Sequence, residues 1–124
     1  LLQSNAEYAP TLVGIEEPET ALHPAASAAL REMLVEASRD TQVLVTSHSP
    51  DLLDDRGIDA DSILSVVSES SDTGIAPLDE GSRQMLRDHL FSAGELLRMN
   101  QLAPDRSAID QQHTSQADLF GRAP

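Results

Sequence analysis

Two apolar runs, each followed by a polar cluster, decide the fold of this chain. Residues 11–24 read TLVGIEEPETALHP, and residues 42–53 read QVLVTSHSPDLL. The first run, over residues 11–15, stops at two glutamates and a proline, and the second, over residues 42–46, stops at Ser-His-Ser. Short apolar runs that end abruptly in polar residues are typical of strands buried in a parallel sheet. The sequence therefore predicts two buried strands.

The segment between the two strands has the pattern of an amphipathic helix. Pro24 suits a first helical turn, and apolar side chains then recur at helical spacing up to the polar stop at residues 38–40: Leu30, Met33, Leu34 and Ala37. Strand, helix and strand form a βαβ unit, whose two strands run parallel with their carboxyl ends at one edge. We therefore expect Glu16, Glu17 and His48 to be near neighbours, at the edge where open α/β sheets place their ligands.

The rest of the chain gives coarser expectations. Ser49 and Pro50 form a good start for a short helix. Residues 63–67 and 75–78 indicate a hairpin or two edge strands that extend the sheet, and residues 82–102 indicate one or two helices. Residues 1–8 are typical of the end of a helix. We expect one domain over residues 1–102 and, because residues 103–124 are polar and aperiodic, a disordered tail.

Composition excludes several classes of function. The 124 residues carry a formal charge of −13, with no Cys, and all eight basic residues are Arg, so the chain contains no Lys. Disulfides and thiolate metal sites are excluded, and such an acidic surface argues against direct nucleic-acid contact. No apolar run approaches the roughly 20 residues that span a bilayer, and no signal peptide is evident, so we expect a soluble, cytoplasmic protein with no membrane contact. Because the chain opens with Leu, we expect a longer parent whose beginning is missing.

The motifs LVGIEEPETALHP and VLVTSHSPDLLD resemble the C-terminal half of the ATPase core of ABC type in the AAA-like predicted ATPases, which are related to the RecF, SMC and overcoming-lysogenization-defect families. The resemblance implies an α/β fold, a partial P-loop NTPase with parallel strands and flanking helices, followed by a C-terminal hairpin and helices. It also implies ATP hydrolysis with ATP and Mg²⁺ as cofactors.

The resemblance also implies a role for each residue of the two motifs. Glu16 takes the Walker B position that holds Mg²⁺ through water, and Glu17 takes the position that polarises the attacking water. His48 takes the switch position at the γ-phosphate. Residues 19–24 match the D-loop, with Glu19, Ala21 and Leu22 at the dimer interface beside the partner's nucleotide.

The residue types suit this chemistry apart from any family. Phosphoryl transfer requires a hard cation held by oxygen, a group that orients water, and a donor that contacts the transferred phosphate. One departure from the pattern is that Glu16 stands where many ABC proteins have Asp. Another is that the phosphate loop GxxxxGK[ST] cannot occur in a chain without Lys, and the glycine-rich signature is also absent. The resemblance thus implies a hydrolysis-side lobe that acts with a missing N-terminal ATPase part, as a homodimer of the full-length parent, in DNA repair or phage defence. The isolated chain is expected to be inactive.

Two alternative functions remain open at this point. The chain could act as a standalone, non-catalytic module for protein interaction. It could also use Glu16, Glu17, His23 and His48 as a metallohydrolase site, although no spacing such as HExxH supports this. We interpret His23, which precedes Pro24, as a helix-entry residue, and His89 as part of a helical face.

Residues 116–120 (QADLF) resemble the peptide by which bacterial replication and repair proteins dock on the sliding clamp. By that resemblance Leu119 and Phe120 enter an apolar groove, while Gln116 forms a hydrogen bond at its edge. A disordered segment that orders on contact suits such docking.

Overall fold

A computed structural model describes residues 10–119 and shows a mixed α/β chain. The chain divides into two compact units, which we call unit 1 (Leu1–Leu52) and unit 2 (Leu53–Pro124). This division differs from the prediction of one domain over residues 1–102. None of the helices within residues 10–119 has the length and apolar content needed to cross a bilayer. The predicted helix end over residues 1–8 lies outside the described part of the chain.

Unit 1 contains the predicted βαβ pattern. Strand β1 spans Leu12–Glu16, helix α1 spans Ser27–Ala37 and strand β2 spans Gln42–Thr46. The two strands pair in parallel, in a register that places Leu12 beside Gln42 and Glu16 beside Thr46. Two short 3-10 turns, Pro18–Ala21 and Pro24–Ala26, lead from β1 into α1. The architecture is compatible with part of a P-loop NTPase fold, and both polar clusters do follow strands that end at one edge.

The strands are less buried than predicted. Their alternate residues are half-buried on one face, whereas Leu12 and Leu44 on the other face each keep 53% of their surface exposed. A parallel strand is fully buried only where further elements cover both faces of its sheet. Within the described residues, unit 1 leaves the face with Leu12 and Leu44 uncovered.

The predicted helix from Ser49 does not form, and residues 50–53 are a turn. The Arg31 guanidinium supplies the physical reason. Its Nη1 atom donates to the carbonyl oxygen of Leu52 at 3.0 Å and to that of Asp51 at 3.4 Å. These carbonyl groups are satisfied by a side chain rather than by amides of a following helical turn.

Unit 2 contains the predicted hairpin, which follows a short 3-10 turn at Ala60–Ser62. Strand β3 spans Leu64–Glu69 and pairs antiparallel with strand β4, Asp72–Pro77. A two-residue turn joins them, with Ser70 in the left-handed region at φ 59°. The hairpin is a separate two-stranded sheet within the described residues, so the prediction that it extends the β1–β2 sheet is wrong.

The predicted helices over residues 82–102 are confirmed as a pair. Helix α2 spans Glu80–Arg87 with Asp79 as its N-cap, and helix α3 spans Ala93–Arg98 with a capping box formed by Ser92 and Glu95. Their apolar faces meet in the core of unit 2, whose buried residues are Ala60, Leu78, Leu86, Ala93 and Leu96.

The prediction of a disordered tail over residues 103–124 is wrong for its described part. Pro104 forms a bridge with Leu78, and helix α4 spans Arg106–Leu119 against β4. Ile109 of α4 is buried, and the Gln112 side chain bonds both the N–H and the C=O of Ile75. Within residues 106–116, Ile109 is the one large apolar residue, so no helical period of apolar residues marks this part of α4 in the sequence.

Candidate functional site

The end of β1 and the turn after it carry three carboxylates within four residues. Glu16 is the last residue of the strand, and Glu17 follows in the left-handed backbone region, at φ 42° and ψ 56°. The Glu17 N–H donates to the carbonyl oxygen of Thr46 at 2.8 Å, which joins the end of β1 to the end of β2. From Glu17 the chain enters the 3-10 turn that contains Glu19. We call residues 17–22 the acidic turn.

The acidic turn meets the residues that follow β2. The Nδ1 atom of His48 lies 2.7 Å from the Oε1 atom of Glu17. Because an ionised carboxylate can only accept hydrogen bonds, the imidazole donates through Nδ1 and leaves Nε2 for another partner. The His48 side chain is 81% exposed and that of Glu17 is 42% exposed, so both can reach a ligand. The predicted proximity of Glu17 and His48 is thus present in the structure.

A second contact joins the same two segments. The Ser47 hydroxyl donates to the Oε1 atom of Glu19 at 2.5 Å, and it accepts from the Ser49 N–H at 3.0 Å. The other carboxylate oxygen of Glu19, Oε2, is buried and has no hydrogen-bond partner among the described residues. We call residues 47–49 the histidine loop. The sequence pattern does not reveal this contact, although Glu19 and Ser47 both lie in the polar clusters that follow the strands.

Residues 20–22 of the acidic turn are exposed to solvent. Thr20 folds back onto the turn, where its hydroxyl donates to the Glu17 carbonyl oxygen at 2.8 Å. Ala21 and Leu22, predicted to lie at a dimer interface, are exposed, and Leu22 keeps 43% of its surface in solvent. His23 accepts a hydrogen bond from the Ala25 N–H at Nδ1 and caps the next turn, as predicted for a helix-entry residue.

The donor set suits a magnesium ion that keeps most of its water. Glu16 has an exposed side chain and no hydrogen-bond or ion-pair partner within residues 10–119, so its carboxylate is available to a cation or to a cation's water. Mg²⁺ in nucleotide sites is commonly held by one or two carboxylates together with water and phosphate oxygens. By contrast, no group of three His, Asp or Glu side chains in that part of the chain could hold a metal ion by itself. The set Glu16, Glu17, His23 and His48 therefore lacks the geometry of a metallohydrolase centre.

Two other histidines and the tail motif lie elsewhere. His89 follows α2 with φ 53°, and its Nδ1 atom lies 3.0 Å from the Arg56 carbonyl oxygen, so it does not sit on a helical face. His113 lies in α4, 3.7 Å from an Asp72 oxygen. Gln116 and Leu119 belong to α4 rather than to a disordered segment, and Phe120 lies outside the described residues.

A comparison with known protein families finds a match over the part of the chain that contains the acidic turn and the histidine loop. Residues 1–54 match the family model described as AAA domain, putative AbiEii toxin, Type IV TA system. No curated protein is significantly similar to the chain. The matched stretch contains all of unit 1, with the acidic turn and the histidine loop, and it ends two residues after Leu52. The match supports an AAA-like ATPase family, and with it a nucleotide-binding domain of the ATPase type, over these residues.

Proposed function

We propose that unit 1 is the hydrolysis-side lobe of an ATP-hydrolysing ATPase core of ABC type. The observation that carries the proposal is the 2.7 Å contact between Glu17 and His48, formed across the ends of two parallel strands. A carboxylate that can orient water and an imidazole that can contact a phosphate are two of the groups that phosphoryl transfer requires. The family match over residues 1–54 supports the same chemistry.

Each site residue then has a defined role. Glu17 accepts a hydrogen bond from the attacking water and polarises it, while His48 contacts the γ-phosphate oxygens through Nε2. Glu16 would hold Mg²⁺ through water, and the bound ion would supply positive charge beside the phosphate oxygens. The exposed residues Ala21 and Leu22, with Glu19, form the surface that faces a second copy of the complete ATPase.

ATP binding requires a part that this sequence does not contain. A phosphate loop cradles the phosphates with backbone N–H groups and one Lys, and the chain has no Lys. The phosphates are therefore held by a phosphate loop from another segment or another chain. We expect the 124-residue chain alone to show no micromolar affinity for Mg-ATP in calorimetry.

The proposed biological process rests on the family resemblance rather than on the site. The resemblance to the RecF, SMC and overcoming-lysogenization-defect ATPases supports a DNA-repair or phage-defence system as the setting in which the assembly acts. Fold and active-site chemistry do not distinguish these two processes.

A turnover assay tests the proposed function. The chain is assembled with its phosphate-loop part, and phosphate release is measured for wild type and for Glu17→Gln. Because an amide keeps the shape but is a poor base, we expect the rate to fall by about 10²- to 10⁴-fold. Glu36→Gln provides a matched control, since Glu36 is an exposed residue of α1 that pairs with Arg39. Wild-type turnover in Glu17→Gln would contradict the role of Glu17, and no turnover in any form of the assembly would favour a non-catalytic interaction module.

A further inference from the structure

We propose that Glu19 and Ser47 are positioning residues, whose hydrogen bond keeps His48 within reach of Glu17; this inference rests on the proposed function. The bond joins the acidic turn to the histidine loop at 2.5 Å. Each partner lies two residues or fewer from a member of the Glu17–His48 pair. The two contacts therefore form one bridge between the segments that follow β1 and β2.

The Glu17–His48 contact is too exposed to hold this geometry by itself. Its partners have 42% and 81% exposed side chains, and a hydrogen bond this open to solvent contributes little because water competes for both groups. The main-chain bond from Glu17 to Thr46 fixes the base of the acidic turn but does not include any residue of the histidine loop. Another contact must restrict that loop.

The Glu19–Ser47 contact has the properties required. Both residues are partly buried, and the second carboxylate oxygen of Glu19 is shielded from solvent. A hydrogen bond in such surroundings competes with less water than one at the surface, so it is stronger. Ser47 also accepts from the Ser49 N–H at 3.0 Å, which places His48 between two residues that are tied to each other. Glu19 thereby sets the orientation of a loop that lies 28 residues away in sequence.

The first test reports on geometry and needs no ATPase activity. The ring nitrogen shifts of His48 are measured by NMR in the 124-residue chain at one fixed pH, with Glu17→Ala as the reference for an unbonded ring. We expect Ser47→Ala and Glu19→Ala each to move the Nδ1 shift most of the way toward that reference. The double variant should move it no further than either single variant, because both remove one bond.

Two controls separate positioning from a general effect of substitution. Ser49→Ala also replaces Ser by Ala next to His48, but it keeps the Ser49 N–H that donates to the Ser47 hydroxyl. Ser47→Thr keeps the hydroxyl that donates to Glu19. Both variants should retain the wild-type Nδ1 shift of His48. An unchanged His48 shift in Ser47→Ala would overturn the proposal. Loss of the folded amide spectrum in both Ser47→Ala and Glu19→Ala would assign the pair a purely structural role and would also overturn it.

The second test uses the assembly with its phosphate-loop part. Ser47→Ala should lower kcat by about 10- to 100-fold with little change in KM for ATP, since misplaced catalytic groups slow the chemical step. Ser47→Thr should restore most of kcat. If the wild-type assembly has no turnover, the proposed function fails while the NMR result stands. If wild type and Ser47→Ala turn over equally, the positioning role fails alone.

Discussion

At the scale of single residues, Glu17 combines an unfavourable backbone conformation with an exposed functional group. A residue with a β-carbon in the left-handed region costs about 1–2 kcal/mol, and Glu has no local hydrogen bond of the kind that lets Asn adopt it. Strained conformations of this sort persist where the surrounding structure holds them, and they cluster at functional sites. The Glu17 N–H bond to Thr46 and the following 3-10 turn hold it here.

Because the backbone at Glu17 is strained, a residue that prefers the left-handed region should make unit 1 more stable than the Glu that the proposed function requires. In a His48→Ala background, where neither variant can bond the imidazole, Glu17→Asn should stabilise unit 1 by roughly 0.5–1 kcal/mol relative to Glu17→Gln. Both variants remove the charge and carry an amide, so the pair isolates the backbone preference. Native-state hydrogen exchange of the β1 and β2 amides measures the difference. Equal protection in the two variants would show that the turn is not strained.

The sequence predicted which residues meet at the site but not how they are held. Glu17 and His48 could be placed together because each follows a strand of a βαβ unit, and the topology alone brings them to one edge. The Glu19–Ser47 bond could not be predicted, because it depends on the left-handed backbone at Glu17 and on two side-chain rotamers. His89 was placed incorrectly since a helical period does not reveal where a helix ends.

At the scale of elements, the local sequence pattern predicted the strands, α1 and the hairpin. It gave wrong predictions where contacts with residues distant in sequence determine the structure. The helix start at Ser49 has a good local sequence, but Arg31 occupies the carbonyl groups that follow it. Helix α4 has a weak local sequence, and contacts with β4 stabilise it instead. The periodicity of apolar residues in the sequence does not predict such tertiary contacts.

Close packing of β4 against α4 predicts a strong response to one added methyl group. A β-carbon at Gly74 would lie 2.9 Å from the Cγ2 atom of Ile109, so Gly74→Ala should destabilise unit 2 by about 1–3 kcal/mol. Gly14→Ala is the matched control, because that strand position has no atom within 4 Å of the new carbon and should be neutral or stabilising. Chemical denaturation measures both. A penalty for Gly74→Ala that persists undiminished in an Ile109→Ala background would show that this contact is not its cause.

The start of α4 should depend on pH through Asp105. Its carboxylate accepts from the Ser107 hydroxyl and from the N–H groups of Ala108 and Ser107, and these bonds hold the pKa of Asp105 below its ordinary value. Because the pKa is lower in the folded state, the cap stabilises α4 fully above the unfolded-state pKa and is lost as pH falls through the folded-state pKa. NMR shifts of the Ser107 and Ala108 amides should follow this transition. Asp105→Ser, which caps without titrating, should abolish it, and a transition that survives in Asp105→Ser would assign it to another group.

At the scale of the whole molecule, the proposed chemistry and the family match coincide in unit 1. The matched residues end at position 54, and every predicted catalytic or metal-binding residue lies before that point. The absence of Lys leaves the chain without the phosphate-loop Lys that normally reaches the ATP phosphates. The central claim is therefore that unit 1 supplies the groups for hydrolysis and that phosphate binding comes from elsewhere.

The identity of the nucleotide retained by the assembly tests this claim most directly. The chain, joined with its phosphate-loop part, is incubated with Mg and labelled ATP, separated from free nucleotide, and analysed for bound ATP and ADP. If Glu17 polarises the attacking water, Glu17→Gln should retain mainly ATP where wild type retains mainly ADP, with a similar total of bound nucleotide. The same proportion of ADP on Glu17→Gln as on wild type would contradict the account.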